Sequence, residues 1–126
     1  MAKNQKLSES VRIAISGLLL ALKEERNFRI QSIISVVVII SMLVLGLSPI
    51  EESILVLIIL VVLSFELINS QIEKFLDIIQ PEHHPRVKII KDFSAGAVLL
   101  SSIGSVVVGI LIFLPHITGL VLKNYK

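Results

Sequence analysis

The stretch ILVLIILVVLSF, residues 54–65, carries no charge, and the chain continues directly as ELINSQIEKFLD, residues 66–77. The first half belongs in lipid; the second keeps the same apolar periodicity through Ile68, Ile72, Phe75 and Leu76 but adds Glu66, Asn69, Glu73 and Asp77. At about 100° per helical residue, offsets of 3, 7 and 11 fall within an arc of roughly 80°, so the four polar side chains leave the helix on one face. An ionisable residue at membrane depth costs about 2.5 to 3.5 kcal/mol on insertion scales, so such a stripe marks a functional site.

Working outward, the helix containing the stripe is expected to start near Ser53 and to end at about residue 80, before Pro81 and Pro85. Upstream, Ile30 to Leu47 is a second apolar run of about 18 residues, closed by Gly46, Ser48 and Pro49 and the acidic pair Glu51 and Glu52. Downstream, a third run covers about 90–115 and is rich in small residues, among them Gly96, Ser101, Ser102, Gly104, Ser105 and Gly109. Small residues let helix backbones approach closely in lipid, so this helix is expected to pack against others. Residues 7–24 have an apolar centre too short and too polar to span, interrupted by Ser16 and Gly17, which predicts an amphipathic helix on the membrane surface.

The expected fold is therefore all-α and membrane-embedded: one surface helix and three spans in a single domain over 1–126. Hydrophobic residues make up 54% of the chain, and its mean hydropathy of +0.89 lies outside the usual soluble range. The net charge of +2 does not signal nucleic-acid binding, because the cations sit beside apolar spans with no aromatic-interleaved basic patch. The absence of cysteine removes disulfides, thiolate metal sites and cysteine nucleophiles. The polar start MAKNQKLSES and the late first apolar run argue against a signal peptide, so the first span is expected to be retained. Cations cluster before the first span, from Lys3 to Arg29, and between the second and third, at Lys74, Arg86, Lys88 and Lys91; the 48–53 turn has none. The positive-inside rule then places the N-terminus and the 74–92 region in the cytoplasm, and the C-terminus outside.

Three acids and an amide at a membrane boundary can hold a divalent cation, act as a general base, or move protons or ions in a transporter. The following segment adds Glu82, His83, His84, Lys91 and Asp92 on the same side. Carboxylates for Mg²⁺, lysines for phosphate oxygens and a base at headgroup depth are the parts that phosphoryl transfer to a lipid requires. No P-loop or glycine-rich nucleotide loop is present. The two histidines lack the spacing or third ligand of a zinc site.

Taken together, FELINSQIEKFLD (65–77), PEHHP (81–85), IKDFSAGAVL (90–99) and ERNFRI (25–30) resemble the prokaryotic diacylglycerol kinase family, over nearly the whole length from Gly17 to Pro115. The resemblance implies a homotrimeric integral membrane kinase that uses ATP and Mg²⁺ to phosphorylate a lipid alcohol. It implies that Glu66 is the general base at the lipid hydroxyl and that Glu25 and Glu73 bind the metal. Asn69, Glu73, Glu82, His84, Lys91, Asp92 and Glu25 would form the ATP site, with Asp92 holding either Lys91 or the lipid hydroxyl. Glu24 is expected to be solvated, and Asp77 either supports the site or faces water. The pairing of ERNFR with PEHHP looks closer to the undecaprenol kinase branch than to the diacylglycerol branch, and the expected location is the bacterial cell membrane. Ile13 and Ser16 stand where family members often have an aromatic and a basic residue, and Gln31 where some have Glu or His. An ion-coupled transporter with Glu66 as its proton-binding acid is the competing reading from another class; it has no use for Lys91 or a nucleotide.

Overall fold

The structure, a computed structural model, describes residues 7–125 as four helices: α1 (Leu7–Glu24), α2 (Arg26–Leu45), α3 (Pro49–Ile79) and α4 (Pro85–Asn124). Among the described residues there is no strand. Helices α2, α3 and α4 are each long and apolar enough to cross a membrane. At 1.5 Å per residue α2 matches a hydrocarbon core of about 30 Å, whereas α3 and α4 overhang it. Their apolar side chains, from Ile33 to Leu122, are mostly exposed in the single chain. Lipid, rather than a protein core, is their solvent.

Local chemistry sets each boundary. Helix α2 ends where Gly46 adopts a left-handed conformation (φ 63°, ψ 53°) and its N–H donates to the Met42 carbonyl. Two residues later Ser48 caps α3: the Glu51 N–H donates to Ser48 Oγ at 3.3 Å, and the Ser48 N–H donates to Glu51 Oε2 at 2.9 Å. Pro49 occupies the first helical turn, where its missing N–H costs nothing. The chain thus reverses within three residues, and α2 and α3 form an antiparallel hairpin. Met42, Leu47, Leu55 and Ile112 bury one another at the turn end, with Val38, Leu45, Val108 and Phe113 packed around them.

Helix α4 passes through Pro115 and stays helical to Asn124. Side chains supply local bonds around the break: Thr118 Oγ1 donates to the Leu114 and Pro115 carbonyls at 3.0 Å, and His116 Nδ1 lies 2.9 Å from the Ile112 carbonyl. The hydroxyls of Ser32, Ser35, Ser41, Ser101 and Ser105 likewise donate to carbonyls of their own helices. They therefore reach lipid depth already satisfied. Helix α4 packs most extensively against α3. A Cβ built at Gly96, Gly104 or Gly109 would meet nothing within 4 Å, so the chain's own packing does not explain these small residues.

Helix α1 buries only Ala21 and leaves Leu7, Val11, Ile15 and Leu18 exposed along one side, as a helix lying in the bilayer interface does. A single extended residue, Glu25 (φ −94°, ψ 108°), separates it from α2.

Replacing Gly46 by Ala forces a side chain into the left-handed region and is expected to cost about 1 kcal/mol. Ser48→Ala removes the α3 cap at a similar cost of about 1 kcal/mol. Reversible unfolding in mixed detergent micelles should show a lowered midpoint for both variants.

Candidate active site

The hairpin register builds the site. Asn27 lies twenty residues before Leu47 and Glu66 nineteen after it, so the start of α2 comes level with the stripe on α3. Glu66 is 3% exposed and Asn69 8%, with Ser70 buried beside them. Asn27 at the start of α2 lies near the Glu66 carboxylate, as do the carboxylates of Glu73 and Glu25. Glu25 enters the cluster because it is the bend between α1 and α2. Its backbone caps α2 while its side chain makes no capping bond, which leaves the carboxylate free to face α3.

Asn69 Nδ2 donates to Glu73 Oε1 at 3.2 Å, which fixes two members of the stripe to each other across one helical turn. Asn69 Oδ1 is buried without a hydrogen-bond partner. Glu25 Oε1 is also buried, and the Lys74 ammonium ion-pairs with it at 2.6 Å. Lys74 also donates to Glu24 Oε2 at 3.1 Å. The buried, unpartnered Asn69 Oδ1 marks a place where a further polar group belongs.

The remaining site residues gather at a second level, one turn beyond Glu73. Lys91 on α4 is ion-paired with Asp77 on α3. Glu82 and His84 occupy the 80–84 connection, and a cleft of about 200 Å³ lies between it, Asp77, Lys88 and Lys91. The His84 ring is engaged structurally: its Nδ1 accepts the Arg86 N–H at 3.2 Å and caps α4. Asp92 does not hold Lys91. Adjacent residues on a helix point about 100° apart, and Asp92 instead lies 3.9 Å from Lys88 with its side chain 64% exposed.

The structure thus brings Glu25, Glu66 and Asn69 into one cluster with the exposed Glu73, and places Glu82, His84, Lys91 and Asp92 outside it. It adds Asn27 and Lys74, neither of which the sequence singled out. Asn27 stands inside the ERN motif, two residues after Glu25. Lys74 had counted only as a topogenic cation. Glu24, expected in solvent, is half-exposed but paired with Lys74.

The sequence is similar to those of known proteins. The sequence profile of the prokaryotic diacylglycerol kinases matches residues 12–113. The chain is 40% identical to the undecaprenol kinase of Bacillus subtilis over 95 residues, covering 75% of this chain and 77% of that protein. It is 38% identical over 112 residues to a diacylglycerol kinase of a Synechocystis species, covering 88% of this chain and 64% of the relative's length. A diacylglycerol kinase of Pseudomonas aeruginosa is 33% identical over 84 residues, 67% of this chain and 68% of the relative. The chain belongs to the prokaryotic diacylglycerol kinase family. It is a bacterial membrane lipid kinase, with ATP as co-substrate.

Asn27→Ala would leave the Glu66 carboxylate buried without its amide partner, at an expected stability cost of about 1 to 3 kcal/mol. If Glu66 is the general base that the family resemblance implies, lipid kinase turnover should also fall at least about tenfold, since the carboxylate loses its orientation. Unfolding midpoint and initial rate measured on the same preparation check both numbers.

Proposed function

We infer that the chain transfers the γ-phosphoryl group of ATP to the primary hydroxyl of undecaprenol, with diacylglycerol as the poorer acceptor. The identity to the Bacillus undecaprenol kinase supports this order, as does the co-occurrence of ERNFR and PEHHP in one chain. The observation that carries the mechanism is the buried Glu66 carboxylate one helical turn from the Asn69–Glu73 pair.

In this reading Glu66 is the general base. The lipid hydroxyl donates its proton to the carboxylate as its oxygen attacks the γ-phosphorus, and the bond to the β-phosphate oxygen breaks to release ADP. Asn27 orients the base. Asn69 is fixed through Nδ2 to Glu73 and offers Oδ1, its unpartnered oxygen, to a donor on the substrate or to water. Glu73 lies roughly 10 Å along the helix axis from Glu66, toward the aqueous end of α3. Lys91 leaves Asp77 to meet phosphate oxygens, and Glu82, His84 and Asp92 line the approach of the nucleotide's far end and the lipid hydroxyl.

The donor set fits Mg²⁺ supplied with the nucleotide. Among the described residues no three acids or histidines form a ready-made cage, but Mg²⁺ is ordinarily held by one or two carboxylates with phosphates and waters completing the shell. Glu25 and Glu73 would provide those carboxylates, Glu25 once the Lys74 ammonium 2.6 Å from its Oε1 has been displaced. When bound, the ion would neutralise charge on the transferring phosphoryl group.

The active form in this proposal is a homotrimer. The glycines of α4, open in the single chain, give a second helix room to approach. The N-terminus and the 74–92 region face cytoplasmic ATP, and the C-terminus lies outside, as the cation distribution favours.

Offered undecaprenol and diacylglycerol at equal mole fraction in mixed micelles, the purified enzyme should phosphorylate undecaprenol faster; faster phosphorylation of diacylglycerol would reverse the assignment. Glu66→Gln should lower turnover by about 10² to 10⁴ while leaving the oligomer intact. Glu73→Ala should shift the Mg²⁺ dependence of the rate to higher concentration. Lys91→Ala should raise the KM for ATP more than that for lipid.

A further inference from the structure

Lys74 stands where the reaction itself gives it no role. Its ammonium sits 2.6 Å from Glu25 Oε1 and 3.1 Å from Glu24 Oε2, joining α3 to the end of α1 and to the α1–α2 bend. The two acids are unequal. The Glu25 side chain is 19% exposed and its Oε1 is buried, whereas Glu24 is 51% exposed and takes a hydrogen bond from the same nitrogen. A buried carboxylate oxygen must be neutralised by some cation, and Lys74 is the cation the fold supplies.

The surroundings also leave the lysine somewhere to go. A cleft of about 520 Å³ opens between α1 and α3 beside it, lined at its polar end by Glu24, Glu25, Gln71 and Lys74. Lysine is a point charge on a flexible stem, so shifting fully to Glu24 requires only rotamer changes, and the charge stays paired throughout.

We propose that Lys74 is a positioning residue that occupies Glu25 in the cation-free enzyme and yields it to a divalent cation by transferring to Glu24. Glu24 is then the second seat of a two-position switch, and the enzyme never exposes an unneutralised Glu25 carboxylate at the membrane surface. Lys74 competes directly with the divalent ion, so its removal strengthens cation binding, and removal of Glu24 weakens it. This rests on the reading of Glu25 as a metal-binding carboxylate.

The test is a titration of nucleotide-free, full-length enzyme in detergent micelles with Mn²⁺, followed by electron paramagnetic resonance, so that no turnover is needed. Lys74→Met should bind Mn²⁺ about two- to fivefold more tightly than the native chain, the range a partly exposed ion pair supports. Glu24→Gln should bind about two- to threefold more weakly. A general field effect of the two charges would give the same signs, so the double variant decides. Once Lys74 is gone, Glu24→Gln should change nothing, because no lysine needs the second seat. Additive effects in the double variant, or unchanged or weaker binding in Lys74→Met, overturn the proposal. Should Lys74→Met not purify folded, Glu24→Gln alone carries the test, and unchanged affinity overturns it. Glu25→Gln separates the two levels: Mn²⁺ binding equal to that of the native chain would remove Glu25 from the metal site and the switch with it.

Discussion

Everything in this protein turns on placing the Glu66 carboxylate at the edge of a lipid-spanning helix without leaving it alone. A charged or strongly polar group at that depth is tolerated only where other polar groups converge on it. The α2–α3 hairpin supplies them. Its turn is three residues long and fixed at both sides, by the left-handed Gly46 and by the reciprocal Ser48–Glu51 cap, so the count of residues along each arm sets what faces what. Nineteen residues from the turn on one arm is Glu66, and twenty on the other is Asn27. A one-residue change in that connection would rotate the polar face of one helix away from the other by about 100°.

The same constraint explains why the bend at Glu25 is a single extended residue. Helix α1 must lie in the interface while α2 enters the bilayer, and the junction between them is brought to the level of the stripe by the length of α2. A glutamate at the junction can face α3 because its backbone, rather than its side chain, satisfies the start of α2. Lys74 then ties the junction to α3 through Glu24 and Glu25. Surface helix, first span and central span meet at one small cluster, whose depth is set by helix lengths.

Beyond that cluster the site changes character. Asp77, Glu82, Lys88 and Lys91 surround a cleft that is charged and exposed, where the proposed mechanism seats the nucleotide. Glu66 by contrast is enclosed by protein and adjoins the lipid-facing length of α3. The stripe joins these two environments along one helix face, so in the proposed mechanism a membrane alcohol and a soluble phosphate donor are served by residues only a few turns apart.

Much of this was legible in the sequence. Period and composition alone determined the helices, the three runs able to span and the amphipathic first helix, because a lipid solvent permits few other backbone arrangements. The 3.6-residue repeat determined that Glu66, Asn69, Glu73 and Asp77 share a face. Tertiary structure decided which residues that face meets. Lys91 is paired by Asp77 fourteen residues away, and Asp92, its neighbour in sequence, points elsewhere, because adjacent positions on a helix diverge. Asn27 and Lys74 joined the cluster only once hairpin register and the α1–α2 bend were fixed. Sequence periodicity describes one helix at a time; the partners of a buried carboxylate are set by the relative height of two.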